Sequence, residues 1–168
     1  TAEDSGTGLE DMEVIRTVTK HVTGVDMAHG GSGDPSPFTA LGVRRGIEAC
    51  VKHKLGKDSL AGVHVAVQGV GHVGYHLVKE LKAGGAKISV ADVDPLKTER
   101  AVREFGASVV PLDQIFSIEC DVVAPCALGS ALNDQTIPQL KAKIVAGAAN
   151  NQLAEPRHGD DLHARGIL

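Results

Sequence analysis

Apolar and polar positions follow a helical rhythm at the start of this chain and an alternating strand and helix rhythm after it. Between Leu9 and Val22, residues Met12, Ile15, Thr19 and Val22 recur at helical spacing, which predicts one amphipathic helix closed by Gly24. Gly30-Gly31-Ser32-Gly33-Asp34-Pro35-Ser36-Pro37 cannot hold regular structure, because proline lacks a donor and glycine admits left-handed angles. It predicts a loop leading into a helix, with Ser36 as N-cap and Pro37 in the first turn. Ala40, Val43, Ile47, Cys50 and Val51 form the apolar stripe of that helix, which ends near Gly56.

Short apolar runs then alternate with helical segments, the arrangement of βαβ units around a mainly parallel sheet. Strands are expected at Val63 to Gln68, Lys87 to Asp92, Ser108 to Val110, Asp121 to Ala124 and Ile144 to Ala148. After the first strand comes a helix with Val73, Leu77, Val78 and Leu81 on one face. Asp94-Pro95 caps a helix burying Ala101, Val102 and Phe105. A short helix is expected around Ile137 and Leu140 and another near Pro156 to Arg165, with Ile167 and Leu168 opening a sixth strand. The fold class is therefore α/β, a Rossmann-type doubly wound sheet with flanking helices. Residues 1–34 form a helix and hinge segment, and 35–168 the dinucleotide-binding domain.

Composition narrows the partners. Seventeen Lys and Arg against 21 Asp and Glu give a net charge of -4, and no long run of one sign offers a nucleic-acid footprint. Aromatics at 2% cannot furnish a base-stacking platform. No apolar run approaches the roughly 18 residues of a membrane span, so no membrane partner is expected. Cys50, Cys120 and Cys126 are odd in number and lack a C-x-x-C pair, which suits reduced core thiols of a cytoplasmic protein. The first residue is Thr1, with neither an initiator Met nor a signal stretch, so the chain is expected to belong to a longer reading frame.

Gln68-Gly69-Val70-Gly71-His72-Val73-Gly74 carries the strongest chemical signal, a G-x-G-x-x-G between a predicted strand and a predicted helix. Gly69 permits the tight turn, Gly71 leaves room for a diphosphate, and Gly74 lets the helix approach the strand. The helix start offers N–H groups and a positive dipole end, so Val70, His72 and Val73 join the glycines as cofactor-binding candidates. Asp92 ends the next strand, where a carboxylate accepts from adenosine ribose hydroxyls, with Val93 beside it. Asp92 and Asp94, with no Arg in Val93-Asp94-Pro95-Leu96, would repel a 2′-phosphate, which favours NAD over NADP.

A series of segments carries a wider likeness: Thr1-Ala2-Glu3-Asp4-Ser5-Gly6-Thr7, Ser32-Gly33-Asp34-Pro35-Ser36-Pro37-Phe38-Thr39-Ala40, the glycine turn, Ala124-Pro125-Cys126-Ala127-Leu128-Gly129, Asn133-Asp134-Gln135-Thr136-Ile137-Pro138 and Asn151-Gln152-Leu153. In order and over nearly the whole chain, they resemble the leucine, phenylalanine and valine dehydrogenase family, nearest to its leucine-specific members. The resemblance implies oxidative deamination of a branched-chain or aromatic L-amino acid to the 2-oxo acid and ammonia, with hydride passing to NAD. It implies a catalytic role for Asp4 in handling the substrate amino group and proton, and a substrate contact for Asn151. Thr39, Cys126, Ala127, Leu128, Ala149 and Asn150 match positions along the cofactor, and a homo-oligomer is implied for the full-length enzyme. The family's two essential lysines, one in a G-G-G-K segment, have no counterpart here, so the chain is expected to be inactive alone.

Other constellations are weaker. His158 and His163 are five apart and point to different helix faces without a third ligand at usable spacing, so no metal site is expected. His72 and His76 share a face of the helix that would receive the diphosphate. No hydrolase motif is present. Two alternatives stay open, a glutamate-type or other NAD-linked dehydrogenase and a non-catalytic nucleotide-binding module, because fold and glycine turn do not fix a substrate.

Overall fold

The computed structural model describes all residues from Thr1 to Leu168, divided into two compact units, Thr1–Phe38 and Thr39–Leu168. The division falls after Phe38, four residues later in the chain than the boundary read from the sequence.

In the first unit, α1 runs from Leu9 to Arg16 and buries only Met12. It starts where the Asp11 carboxylate accepts the Gly8 N–H at 2.8 Å. It stops earlier than the periodicity predicts, leaving Thr19 and Val22 outside. The Thr17 hydroxyl donates to the Val14 carbonyl at 2.7 Å, and Thr17 and Val18 close three-residue turns on Val14 and Ile15. Such local side-chain bonds compete with helix propagation among β-branched residues. A short 3₁₀ turn at Met27–His29 follows, its Ala28 N–H taken by Asp26.

The second unit is the doubly wound domain. Helix α2 spans Ser36–Leu55, starting just before the unit boundary. Asp34, not Ser36, caps this helix: its carboxylate accepts the Ser36 N–H at 2.7 Å, while Ser36 itself is buried within the first turn. The remaining elements are β1 (His64–Gln68), α3 (His72–Ala83), β2 (Lys87–Ala91), α4 (Pro95–Phe105), β3 (Ser108–Val109), β4 (Val122–Pro125), β5 (Ile144–Val145) and α5 (Arg157–Ala164). The expected helix at Ile137 is a single 3₁₀ turn, Ile137–Gln139, with Leu140 just outside it. Val102, expected in the core, lies on the partly exposed side of α4.

All strand pairs are parallel, in the order β3-β2-β1-β4-β5. Strand residues alternate between two apolar layers, as pleating requires. Val65, Val67, Val90, Val122 and Ala124 join Ala40, Ile47, Leu77, Leu81 and Ala101 in one layer. Ala66, Ala91 and Val123 join Ile115, Phe116, Leu132, Ile137 and Ile167 in the other. Burial on both faces is why these strands read as nearly unbroken apolar runs. Beyond β5, the Leu168 N–H donates to Lys143 and the Val145 N–H donates to Leu168, the bonding of a further parallel neighbour.

Candidate functional site

From β1 the chain winds outward through β2 and β3, returns, and winds the other way through β4 and β5. The crevice at the carboxyl ends of β1 and β4 is thus the switch point where ligands of open α/β sheets bind. Helix α3 starts at this end, directly after β1 and the glycine turn, and Arg44 of α2 pairs with Glu80 of α3 at 2.9 Å. Thr39 lies in the first turn of α2.

The three glycines of the turn serve different physical needs. Gly69 has φ +93°, and a Cβ there would lie 2.8 Å from the Ala127 nitrogen. A Cβ on Gly74 would meet the Gly69 carbonyl oxygen at 2.0 Å, so α3 can lie this close to the turn only with glycine there. At Gly71 a Cβ would meet nothing within 4 Å, so the space beside the helix start is open. Helix α3 has no side-chain cap, and its first main-chain bond to Gly71 comes from Tyr75. The N–H groups of His72, Val73 and Gly74 therefore face the open side without an intrahelical partner. His72 is exposed, Val73 half-buried, and Val70 belongs to the core.

Asp92 stands beside this turn. The Val70 N–H donates to its Oδ2 at 2.6 Å, and the Asp94 N–H donates to its Oδ1 at 2.9 Å. The carboxylate that would take the ribose thus also fastens the glycine turn to the end of β2, helped by the Gly69 N–H donating to the Ala91 carbonyl. Val93 is almost fully exposed next to it.

The opposite wall comes from the segments after β4 and β5. The Cys126 N–H donates to the Gln68 carbonyl at 2.7 Å, and Ala127 and Leu128 are exposed beyond it. Burial pushes the Cys126 thiol up to about 11, and burial, with Asp121 and Glu119 adding to it, pushes Cys120 up to about 12. Ala148 and Ala149 both donate to the Pro125 carbonyl, and Asn150 and Asn151 follow on the surface. Gly147 permits this approach, since a Cβ there would fall 2.1 Å from the Pro125 oxygen. Gly147, Gly129 and Gln68 are not among the site candidates that the sequence offers. A glycine two residues past a strand is the available signal for Gly147, and Gln68 Oε1 is a buried side-chain oxygen without a hydrogen-bond partner.

Asp4 lies in the first unit, where its Oδ1 accepts the Ser5 N–H and its own N–H donates to the Thr7 hydroxyl.

Around His158 the fold assembles side chains that the sequence spacing keeps apart. The fold brings Asp134 and Asp161 to it, with all three ligand atoms within 4.8 Å of one another. The chemistry opposes a cation. The Glu155 N–H donates to His158 Nδ1, which leaves the ring proton on Nε2, facing Asp134 Oδ1 at 3.3 Å. Arg157 already sits on Asp134 at 2.7 Å, and together with His158 it holds the Asp134 carboxyl down to about 2. The groove there, about 400 Å³, shares no lining residue with the glycine turn or Asp92.

An open glycine turn, uncapped helix N–H groups and a strand-end carboxylate fit a bound dinucleotide: the first would admit its diphosphate, the second would bind it and the third would take a ribose hydroxyl. The fold and site thus define a dinucleotide-binding domain. Residues 42–151 match the family model described as the NAD binding domain of D-isomer specific 2-hydroxyacid dehydrogenase. Over 168 residues the chain is 55% identical to leucine dehydrogenase of Bacillus cereus, covering 100% of this chain and 46% of that protein. It is 45% identical over 172 residues to valine dehydrogenase of Streptomyces albus, covering 100% and 47%. The crystal structure of L-tryptophan dehydrogenase from Nostoc punctiforme superposes with a TM-score of 0.82 at 43% identity, covering 100% of this chain and 47% of that one. The chain spans about half the length of these relatives. It belongs to the leucine, phenylalanine and valine dehydrogenase family, as a part of such a protein that matches an NAD-binding family model.

Proposed function

We propose that these residues are the NAD-binding part of an enzyme that oxidatively deaminates a branched-chain or aromatic L-amino acid to the 2-oxo acid and ammonia. The observation that carries this reading is the open space at Gly71 beside the uncapped start of α3, on a chain that aligns over its whole length with about half of leucine and valine dehydrogenases. NAD bound there would supply the hydride acceptor.

Around it, the first turn of α3 would hold the diphosphate and Asp92 the adenosine ribose, while Thr39, Cys126, Ala127, Leu128, Ala149 and Asn150 line the route to the nicotinamide. Asn151 would orient the substrate, and Asp4 would take part in proton transfer at the amino group. The lysine that would polarise the substrate belongs to polypeptide outside these residues. A cytoplasmic homo-oligomer suits this reading. Calorimetry is expected to show NAD bound at least about tenfold more tightly than NADP, a difference of about 1.4 kcal/mol; the reverse order would remove the role given to Asp92.

The wording of the matched family model favours a second reading, oxidation of a 2-hydroxy acid. A panel of branched-chain and aromatic amino acids and their 2-hydroxy counterparts, offered with NAD to the full-length protein, separates the two. NADH formed from the hydroxy acids alone would overturn the amino-acid reading.

A further inference from the structure

Five glycines occupy places where a Cβ would come closer than 3.0 Å to a neighbour: Gly31, Gly69, Gly74, Gly129 and Gly147. Four of them meet main-chain atoms, which explains them by packing alone. Gly129 differs. A Cβ there would meet only the end of one side chain, the carboxamide of Asn151, with Oδ1 at 1.9 Å, Cγ at 2.2 Å and Nδ2 at 2.4 Å. Its φ lies outside the left-handed region, so the backbone does not require glycine at this position.

The two segments are tied by their main chains. The Ser130 N–H donates to the Asn151 carbonyl at 2.7 Å, Leu132 to Gln152 at 2.9 Å, and Ala154 back to Leu132 at 2.9 Å. Leu132 and Leu153 form a parallel bridge, and the Gln152 amide group donates to the Gly147 carbonyl. With the backbones fastened, a methyl group at position 129 could be relieved only by turning the Asn151 carboxamide away. That carboxamide has no hydrogen-bond partner within the chain and is exposed, so both its donor and its acceptor stay available to a ligand.

We propose that Gly129 is a positioning residue for the reaction: the missing side chain is the seat that aims the Asn151 carboxamide at the substrate. This rests on the reading of Asn151 as a substrate contact. Because the group displaced is the free end of a surface side chain, Gly129→Ala costs little stability while moving the amide.

The test uses three variants: Gly129→Ala, Asn151→Ala and the double variant. In the 168-residue chain labelled with ¹⁵N, the Asn151 side-chain amide pair, assigned by its loss in Asn151→Ala, shifts in Gly129→Ala while the melting temperature and NAD affinity stay near wild type. In the full-length protein, Gly129→Ala loses most of the turnover that Asn151→Ala loses, and the double variant is no slower than Asn151→Ala. An unmoved amide pair overturns the proposal, as does turnover lost in Asn151→Ala and kept in Gly129→Ala. Wild-type turnover in Asn151→Ala overturns the reading of Asn151 and with it the role of its seat.

Discussion

Neighbouring glycines of one motif have opposite consequences when a methyl group is added. Gly74→Ala drives a Cβ onto the Gly69 carbonyl. It is expected to cost about 1–3 kcal/mol as an overpacking defect, seen as a lower melting temperature of the apo protein. Gly71→Ala adds its methyl to open space at φ -71°, so the apo melting temperature stays put. The same methyl stands where the diphosphate would lie, and NAD affinity measured by calorimetry falls about tenfold or more. A stable Gly74→Ala protein, or unchanged NAD binding by Gly71→Ala, would contradict the turn geometry. The thiols carry a pH signature. Cys120 and Cys126 titrate near 12 and 11 when folded, above an ordinary value of 9.0. Above pH 9 the unfolded chain releases these protons first, so stability falls as pH rises toward 11 to 12. Burial keeps the Cys126 thiol protonated near neutral pH, so its alkylation in the native protein is expected to be slow and to accelerate on unfolding.

At the element scale, the segment after β4 is held by side chains that no periodicity predicts. Asn133 accepts from the Gln135 and Thr136 N–H groups and donates to the Ser130 carbonyl, and the Thr136 hydroxyl donates to the Ala131 carbonyl. Asp134 then joins this loop to α5 through Arg157 and His158. These motif residues thus have a mechanical task, fixing the loop that follows Ala127 to Gly129. Because Asp134 is held near 2, below its ordinary 3.8, the clamp contributes fully above about pH 4 and fades as pH falls toward 2. Thermal melts between pH 5 and pH 2 should therefore decline more steeply for wild type than for Asp134→Asn. Parallel slopes would show that the clamp does not contribute.

For the molecule as a whole, a dinucleotide domain without a G-G-G-K segment is expected to bind NAD and to produce no amino-acid-dependent NADH. Turnover by the 168 residues alone, followed at the NADH absorbance, would contradict the assignment of substrate chemistry to other polypeptide. Much of the fold was legible because parallel strands buried on both faces leave apolar runs such as Val65 to Val67 and Val122 to Ala124, and because Asp94-Pro95 and Gly106 bracket α4 with strong helix signals. The end of α1 was not, since the Thr17 hydroxyl bond that stops it depends on local competition rather than on period. Nor was the cap of α2, where two neighbouring residues, Asp34 and Ser36, both suit the N-cap and only the backbone path selects between them.

Chemistry that is local in sequence was determined by the sequence itself. The glycine spacing, the acid at the end of the next strand and the alternating apolar layers follow from residue types a few positions apart, because backbone freedom and pleating act over that range. Which side chains meet between segments distant along the chain was decided only by the tertiary structure. Asp92 against the Val70 N–H, Asn151 over Gly129 and Asp134 beside His158 are each joined by main-chain paths of about twenty residues, and nothing in their spacing specifies an approach of a few ångströms. The packing of the sheet and its loops specifies it, since a Cβ can be absent for a neighbour's sake only once that neighbour is in place.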